Sequence, residues 1–145
     1  MDFEIPQQNL TPLQKALTSF LRLYERVIDE LFMSQQDEIV RFGLEAGLIQ
    51  NFEFTYELSW KAIKHWLEIN ISPDAADGVT RRELFRMAAE NLLIADVDEW
   101  MLYHAARNET SHQYGEEMAR EVMRVLGQFG MAAQQLLTEL QKRND

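Results

Sequence analysis

Apolar residues recur along this chain at alternating steps of three and four, the period of a helix with one buried face. Leu13, Leu17, Phe20, Tyr24, Val27 and Leu31 make the first such stripe. Ahead of it, Thr11 reads as the N-cap, Pro12 as the first helical residue and Gln14 as the partner that closes a capping box. The pattern predicts a helix of about five or six turns. Ser34, at the head of "SQQD", opens a second helix, whose buried face runs through Leu44, Leu48, Phe52, Tyr56, Ile63 and Leu67 to about Asn70. Gly43 and Gly47 fall inside it, each costing roughly 1 kcal/mol against alanine unless a close helix contact compensates. A break near either glycine is compatible with the pattern.

"NISPDAADGV" has no period, and Pro73 and Gly78 mark it as a loop. "TRRE" then supplies a second capping box and starts a short helix through Leu84, Ala88 and Leu92. Asp96 caps a fourth helix, with Val97, Trp100, Met101 and His104 on one side. After Gly115 the stripe Ala119, Val122, Leu126, Phe129, Ala133, Leu136 and Leu140 predicts a long final helix. Narrow stripes joined by short connections pack best at small crossing angles. The expected fold is therefore all-α, an antiparallel up-and-down bundle of four to five helices. One domain spans 1–145, with residues 1–10 as a flexible N-terminal tail.

The remaining composition changes the picture mainly by exclusion. Three prolines and six glycines are too few for an all-β chain of this length. The absence of cysteine removes disulfides and thiolate metal sites. An acidic start and the lack of an apolar run near ~18 residues make a soluble, cytoplasmic protein the expectation. The net charge of -10 argues against a broad nucleic-acid surface, since that affinity comes from cations displacing counterions. Any polyanion contact has to be local. Lys61-Lys64, Arg81-Arg82-Arg86 and Arg120-Arg124 are small cationic groups, most simply solvated faces with i,i+4 pairs such as Glu57-Lys61.

Several acidic or aromatic features have plain structural explanations. Asp96-Val97-Asp98 resembles a metal-binding pair but sits where a cap and the helix dipole both favour carboxylates. Asp74 to Gly78 lacks the alternating ligands of a calcium loop. His65, His104 and His112 have no partners at zinc spacing, so no metal or cofactor is expected. The aromatics of "NFEFTYELSWKAIKHWLE" read first as core. Phe54, Trp60 and Trp66 are surplus that a second copy could cover, and Phe54, Tyr56 and Trp60 are a candidate partner or substrate groove.

"ARNETSHQYGEE" is different, because it crowds complementary groups into a few positions. Histidine exchanges protons near neutral pH, and arginine offers a fork of donors to phosphate. Arg107 and His112 could share one phosphodiester, and cleavage of RNA without metal needs little beyond a base, a cation and an acid. Spacing alone favours the plainer reading, in which Arg107 and Asn108 end one helix and Ser111 and His112 form the turn.

Two blocks, "GLIQNFEFTYELSWKAIKHWLE" from Gly47 and "EWMLYHAARNETSHQYGEE" from Glu99, resemble the nucleotidyltransferase substrate-binding proteins of the HEPN superfamily. The resemblance covers about Thr11 to Gln141. It implies a bundle similar to the C-terminal domain of kanamycin nucleotidyltransferase, a homodimer, and a separately encoded minimal nucleotidyltransferase as partner. Many such proteins are metal-independent ribonuclease toxins silenced by adenylylation of a tyrosine. By that resemblance His112 is the acid/base, Arg107 the phosphate anchor, Asn108 an orienting residue and Tyr114 the modified tyrosine, with RNA as substrate. The alternative it implies is a noncatalytic substrate-binding subunit of a two-component nucleotidyltransferase.

Overall fold

The computed structural model describes residues 7–110 and 116–144, the side chains of 116–119 excepted. These form six helices: α1 (Thr11–Val27), α2 (Glu30–Ser34), α3 (Glu38–Asn70), α4 (Arg81–Glu90), α5 (Val97–Thr110) and α6 (Glu116–Lys142). None is long and apolar enough to cross a membrane.

The early boundaries differ from the apolar pattern, and side-chain capping explains why. The N-cap of α1 is Leu10, with no side-chain bond of its own, while Asn9 Oδ1 accepts from the Thr11 amide at 3.1 Å. The first stripe ends at Val27 because Asp29 starts a new helix, its carboxylate accepting from the Phe32 amide at 3.1 Å. Leu31 is accordingly exposed. Ser34 closes α2 by donating to the Leu31 carbonyl at 2.7 Å, and the cap of α3 is Asp37, which accepts from the Val40 amide at 2.8 Å. From there α3 runs unbroken for 33 residues through both glycines. Thr80 and Asp96 cap α4 and α5 as their sequences predict. Leu92 does not continue the α4 stripe, since it takes a left-handed turn at φ 61° beyond the helix end.

Cross-helix contacts set the topology. Gln8 meets Ala62, Ser19 meets Asn51 and Leu23 lies against Gly47, so α1 and α3 run antiparallel. Tyr56 meets His104 while Glu53 meets Arg107, which makes α5 antiparallel to α3. Phe52 with Phe129 and Trp66 with Arg143 make α6 parallel to α3. The result is an up-down-up-down bundle of α1, α3, α5 and α6, with α4 packed on α5 through Phe85 and Trp100.

Phe129 is the centre of the core. Its ring makes edge contacts with Phe20, Phe52, Trp100 and Tyr103 at centroid distances of 5.5, 4.9, 6.1 and 5.3 Å, joining all four long helices. Gly127 and Gly130 let α6 approach α1 closely: a Cβ at Gly127 would meet the Tyr24 hydroxyl, and one at Gly130 would lie 3.1 Å from Leu21. The N-terminal segment is docked from Gln8 onward. Gln8 is buried, its side chain donates to the Ala62 carbonyl at 2.8 Å, and it exchanges hydrogen bonds of 2.7 and 2.8 Å with Asn144. The tail expected over 1–10 is thus held to the bundle over its described part.

Candidate functional site

Helical spacing gathers the polar residues of α3 and α5 into one seam. Glu53, Tyr56, Glu57 and Trp60 lie one turn apart on α3, and His104, Arg107 and Asn108 lie one turn apart on the facing part of α5. The two sets interlock. Arg107 Nη1 lies 3.1 Å from Glu53 Oε2, and Arg107 Nε lies 3.5 Å from Glu57 Oε1. The Nε group is buried and makes no hydrogen bond, so the Glu57 contact is an ion pair without an aligned N–H. Glu57 also accepts from the Trp60 indole at 2.9 Å, and the Arg81 guanidinium stacks 3.4 Å over the Trp60 ring. Glu57 is therefore taken up by Arg107 and Trp60 in place of the i,i+4 pair with Lys61, whose ammonium leans over Trp60 at 5.7 Å.

Beside this charge pair runs a neutral chain. Tyr56 Oη and His104 Nδ1 are 2.7 Å apart, and Asn108 Nδ2 is 3.3 Å from His104 Nε2. With the Asn108 amide as donor, Nε2 accepts and the ring proton sits on Nδ1, donated to Tyr56. Burial lowers the His104 pKa below its ordinary 6.5, helped by Arg81 and opposed by Glu57, which keeps the imidazole neutral at pH 7. Burial likewise raises the Tyr56 pKa, with Glu57 adding to the rise and Arg81 and Arg107 opposing it. Its hydroxyl stays protonated. Burial also lowers the Arg81 pKa, against the pull of Tyr56 and Glu57.

An open cleft of ≈ 420 Å³ adjoins the pair, lined by Gln50, Asn51, Glu53, Phe54, Glu57 and Arg107. The structure separates the proposed aromatic groove. Phe54 faces the cleft and is 59% exposed, whereas Tyr56 is buried against His104 and Trp60 lies half-covered beneath Arg81. Residues two apart on a helix point about 200° apart, so Phe54 and Tyr56 cannot share a face. Trp66 is buried within the chain, under Arg143, so of the three rings expected to be surplus this one is not open to a second copy.

Of the residues singled out in the sequence, Arg107 and Asn108 come together at the C-terminal end of α5. His112 and Tyr114 lie outside the described residues. Glu53, Arg81 and His104 are members of the site that motif reading passed over. One signal was present: two glutamates at i,i+4 repel unless a cation sits between them, and Arg107 is that cation. Among the described residues no cluster of three or more histidines and carboxylates is placed to hold a metal ion.

Polar residues of α3 share a cleft with Arg107 of α5 in an up-and-down helical bundle, and the family of this domain can be stated. Residues 8–142 match the family described as nucleotidyltransferase substrate binding protein like, and the chain belongs to it. It is 35% identical over 137 residues, 94% of each chain, to the Haemophilus influenzae protein named "Probable ribonuclease HepT". A solved Haemophilus influenzae structure, described as revealing the fold of a substrate binding domain of a nucleotidyltransferase, superposes with a TM-score of 0.87 at 34% identity. That match covers 92% of this chain and 99% of that one. A Thermus thermophilus crystal structure matches with a TM-score of 0.65 at 27% identity, covering 88% and 98%.

Proposed function

We propose that the chain is a metal-independent ribonuclease working as a homodimer beside a separately encoded minimal nucleotidyltransferase, which silences it by adenylylating Tyr114. The observation that carries this reading is Arg107 on the wall of a cleft with Asn108 next to it, steadied through His104 by Tyr56. An arginine fork at a cleft suits a phosphodiester, and an asparagine fixed by a second layer suits orientation of the reacting group. The relative named as a probable ribonuclease supports the same reading.

In this mechanism His112 takes the proton of the ribose 2′-hydroxyl, and the 2′-oxygen attacks phosphorus. The bond to the 5′-oxygen breaks as that oxygen receives a proton from His112 of the second copy. The products are a 2′,3′-cyclic phosphate and a free 5′-hydroxyl. Arg107 supports the charge that gathers on the phosphoryl oxygens. To do so it exchanges a glutamate for the phosphate. AMP on Tyr114, two positions from His112, adds an anion that repels RNA and fills the approach.

One observation favours the alternative of a noncatalytic substrate-binding subunit. Among the described residues Glu53 and Glu57 give the cleft two carboxylates against one guanidinium, a lining that suits a cationic or uncharged ligand. Purified chain incubated with RNA in EDTA decides between them. The ribonuclease reading expects cleavage that is lost in His112→Ala and in Arg107→Ala. Intact RNA at high concentrations of unmodified protein leaves the binding subunit. With the neighbouring transferase, ATP and magnesium, mass spectrometry should find AMP on Tyr114 and none on Tyr114→Phe.

A further inference from the structure

A second groove, ≈ 740 Å³, runs along the outer face of α1, lined by Thr11, Gln14, Lys15, Thr18, Ser19, Arg22, Leu23 and Arg26. Its chemistry is opposite to that of the chain. The protein carries -10 overall, yet α1 holds Lys15, Arg22 and Arg26 against the single carboxylate Glu25, and among the described residues no carboxylate lines the groove. Among the described residues Lys15 and Arg22 form no ion pair, and Arg26 leans over Phe32 at 5.2 Å. Hydroxyls of Thr11, Thr18 and Ser19 alternate with the charges along the same wall.

The groove leads to the site. Ser19, which lines the groove, donates to Asn51 Oδ1 at 3.1 Å, and Asn51 lines the cleft beside Arg107. Phe54, exposed on that cleft, is the one aromatic face along this path among the lining residues. A run of cations that tracks a backbone, ending at an exposed ring on which a base can stack, is how proteins hold single-stranded nucleic acid without reading sequence. The acidic remainder of the surface does not cancel this locally, because charges farther than about 8 Å are largely screened at physiological salt.

We propose that the α1 groove is a track for the phosphate backbone of single-stranded RNA, delivering the strand to the cleft with Phe54 as its stacking platform. The proposal rests on the ribonuclease reading for its choice of ligand. Helical rise puts Lys15 and Arg22 about 10 Å apart and Arg22 and Arg26 about 6 Å apart, so the row contacts several consecutive nucleotides. The track explains how an acidic protein engages RNA at all: attraction is concentrated on one helix, whose groove lining carries three cations.

Binding is measured by fluorescence anisotropy with a labelled single-stranded RNA of about a dozen nucleotides, on the His112→Ala chain so that nothing is cleaved. Adding Lys15→Gln, Arg22→Gln and Arg26→Gln should weaken binding at least tenfold. It should also reduce the dependence of log affinity on log salt by about 2, since each phosphate contact on a single strand contributes ≈ 0.7. Phe54→Ala on the His112→Ala chain should weaken binding about tenfold with little change in salt slope. Circular dichroism melts confirm that each variant folds, and these exposed positions should leave the melting temperature near that of the parent. Parental affinity and salt slope in the triple variant overturn the track. So does a triple variant that binds RNA normally but no longer binds the transferase, which would make the groove a protein dock. Failure of the ribonuclease reading is seen separately, as intact RNA with the unsubstituted chain.

Discussion

Arg107 Nη1 sits 3.1 Å from Glu53 Oε2, so the arginine of the candidate site is held by a carboxylate from the facing helix. Both side chains are about three-quarters covered, at 26% exposure, which places the pair between a surface bridge and a buried one. Glu53→Gln should therefore free Arg107 for phosphate and raise RNA affinity several-fold at low salt, with the gain shrinking as salt rises. Arg107→Met should act on stability instead. It leaves Glu53 and Glu57 facing each other without their cation, and should cost about 1–2 kcal/mol after allowance for solvent screening. Urea unfolding of the two variants and anisotropy with RNA separate the effects. Unchanged RNA affinity in Glu53→Gln, together with the expected loss in Arg107→Met, would make the pair structural only.

Much of the fold was legible in the apolar period, and the misplaced boundaries between the first two stripes have one cause. The helices of α3, α4, α5 and α6 follow from stripes such as Leu48, Phe52, Tyr56 and Ile63, because burial of one face is what holds a helix in a bundle. The break after Val27 was not legible, since Asp29 and Asp37 compete with Ser34 as caps and only tertiary packing selects among them. In the site, Arg107 and Asn108 were visible as a motif. Glu53, Arg81 and His104 were not, because their roles come from helices separated by tens of residues. His104 in particular reads as one more position on a helix face until Tyr56 is placed against it. The α1 groove escaped for a related reason: Lys15, Arg22 and Arg26 are spread over three turns and become a row only when the helix is wound.

His104 gives the fold a pH dependence whose sign follows from its lowered pKa. Above about pH 6.5 the imidazole is neutral in both folded and unfolded chains, and the full stability is present. As pH falls below that value the unfolded chain takes up a proton that the folded site resists, so stability declines. The decline is complete once pH passes the lower, folded pKa. Carboxylates titrate in part of the same range, so the comparison is made against His104→Gln. Urea unfolding between pH 7.5 and 5 should show a smaller loss in the variant than in the parent. A variant that loses as much as the parent would mean that His104 is as easily protonated in the fold as outside it.

The approach of α1 to α6 can be tested through two glycines of opposite expectation. In an open helical position alanine is favoured over glycine by roughly 1 kcal/mol. Gly43 is such a position, with nothing within 4 Å of a Cβ built on it, so Gly43→Ala should stabilise by about that amount. Gly127 has the same helical backbone but a different neighbour: its Cβ would strike the Tyr24 hydroxyl and lie 3.2 Å from Tyr24 Cζ. Overpacking of this kind costs typically 1–3 kcal/mol, which exceeds the propensity gain, and Gly127→Ala should be destabilising. Removing the hydroxyl with Tyr24→Phe takes away the nearest atom and should recover part of the loss. The double-mutant cycle between Tyr24→Phe and Gly127→Ala should then show a coupling of about 0.5 kcal/mol or more. Additive effects would mean that the ring swings clear at no cost, and that α1 and α6 are less tightly fitted at this crossing than Gly127 implies.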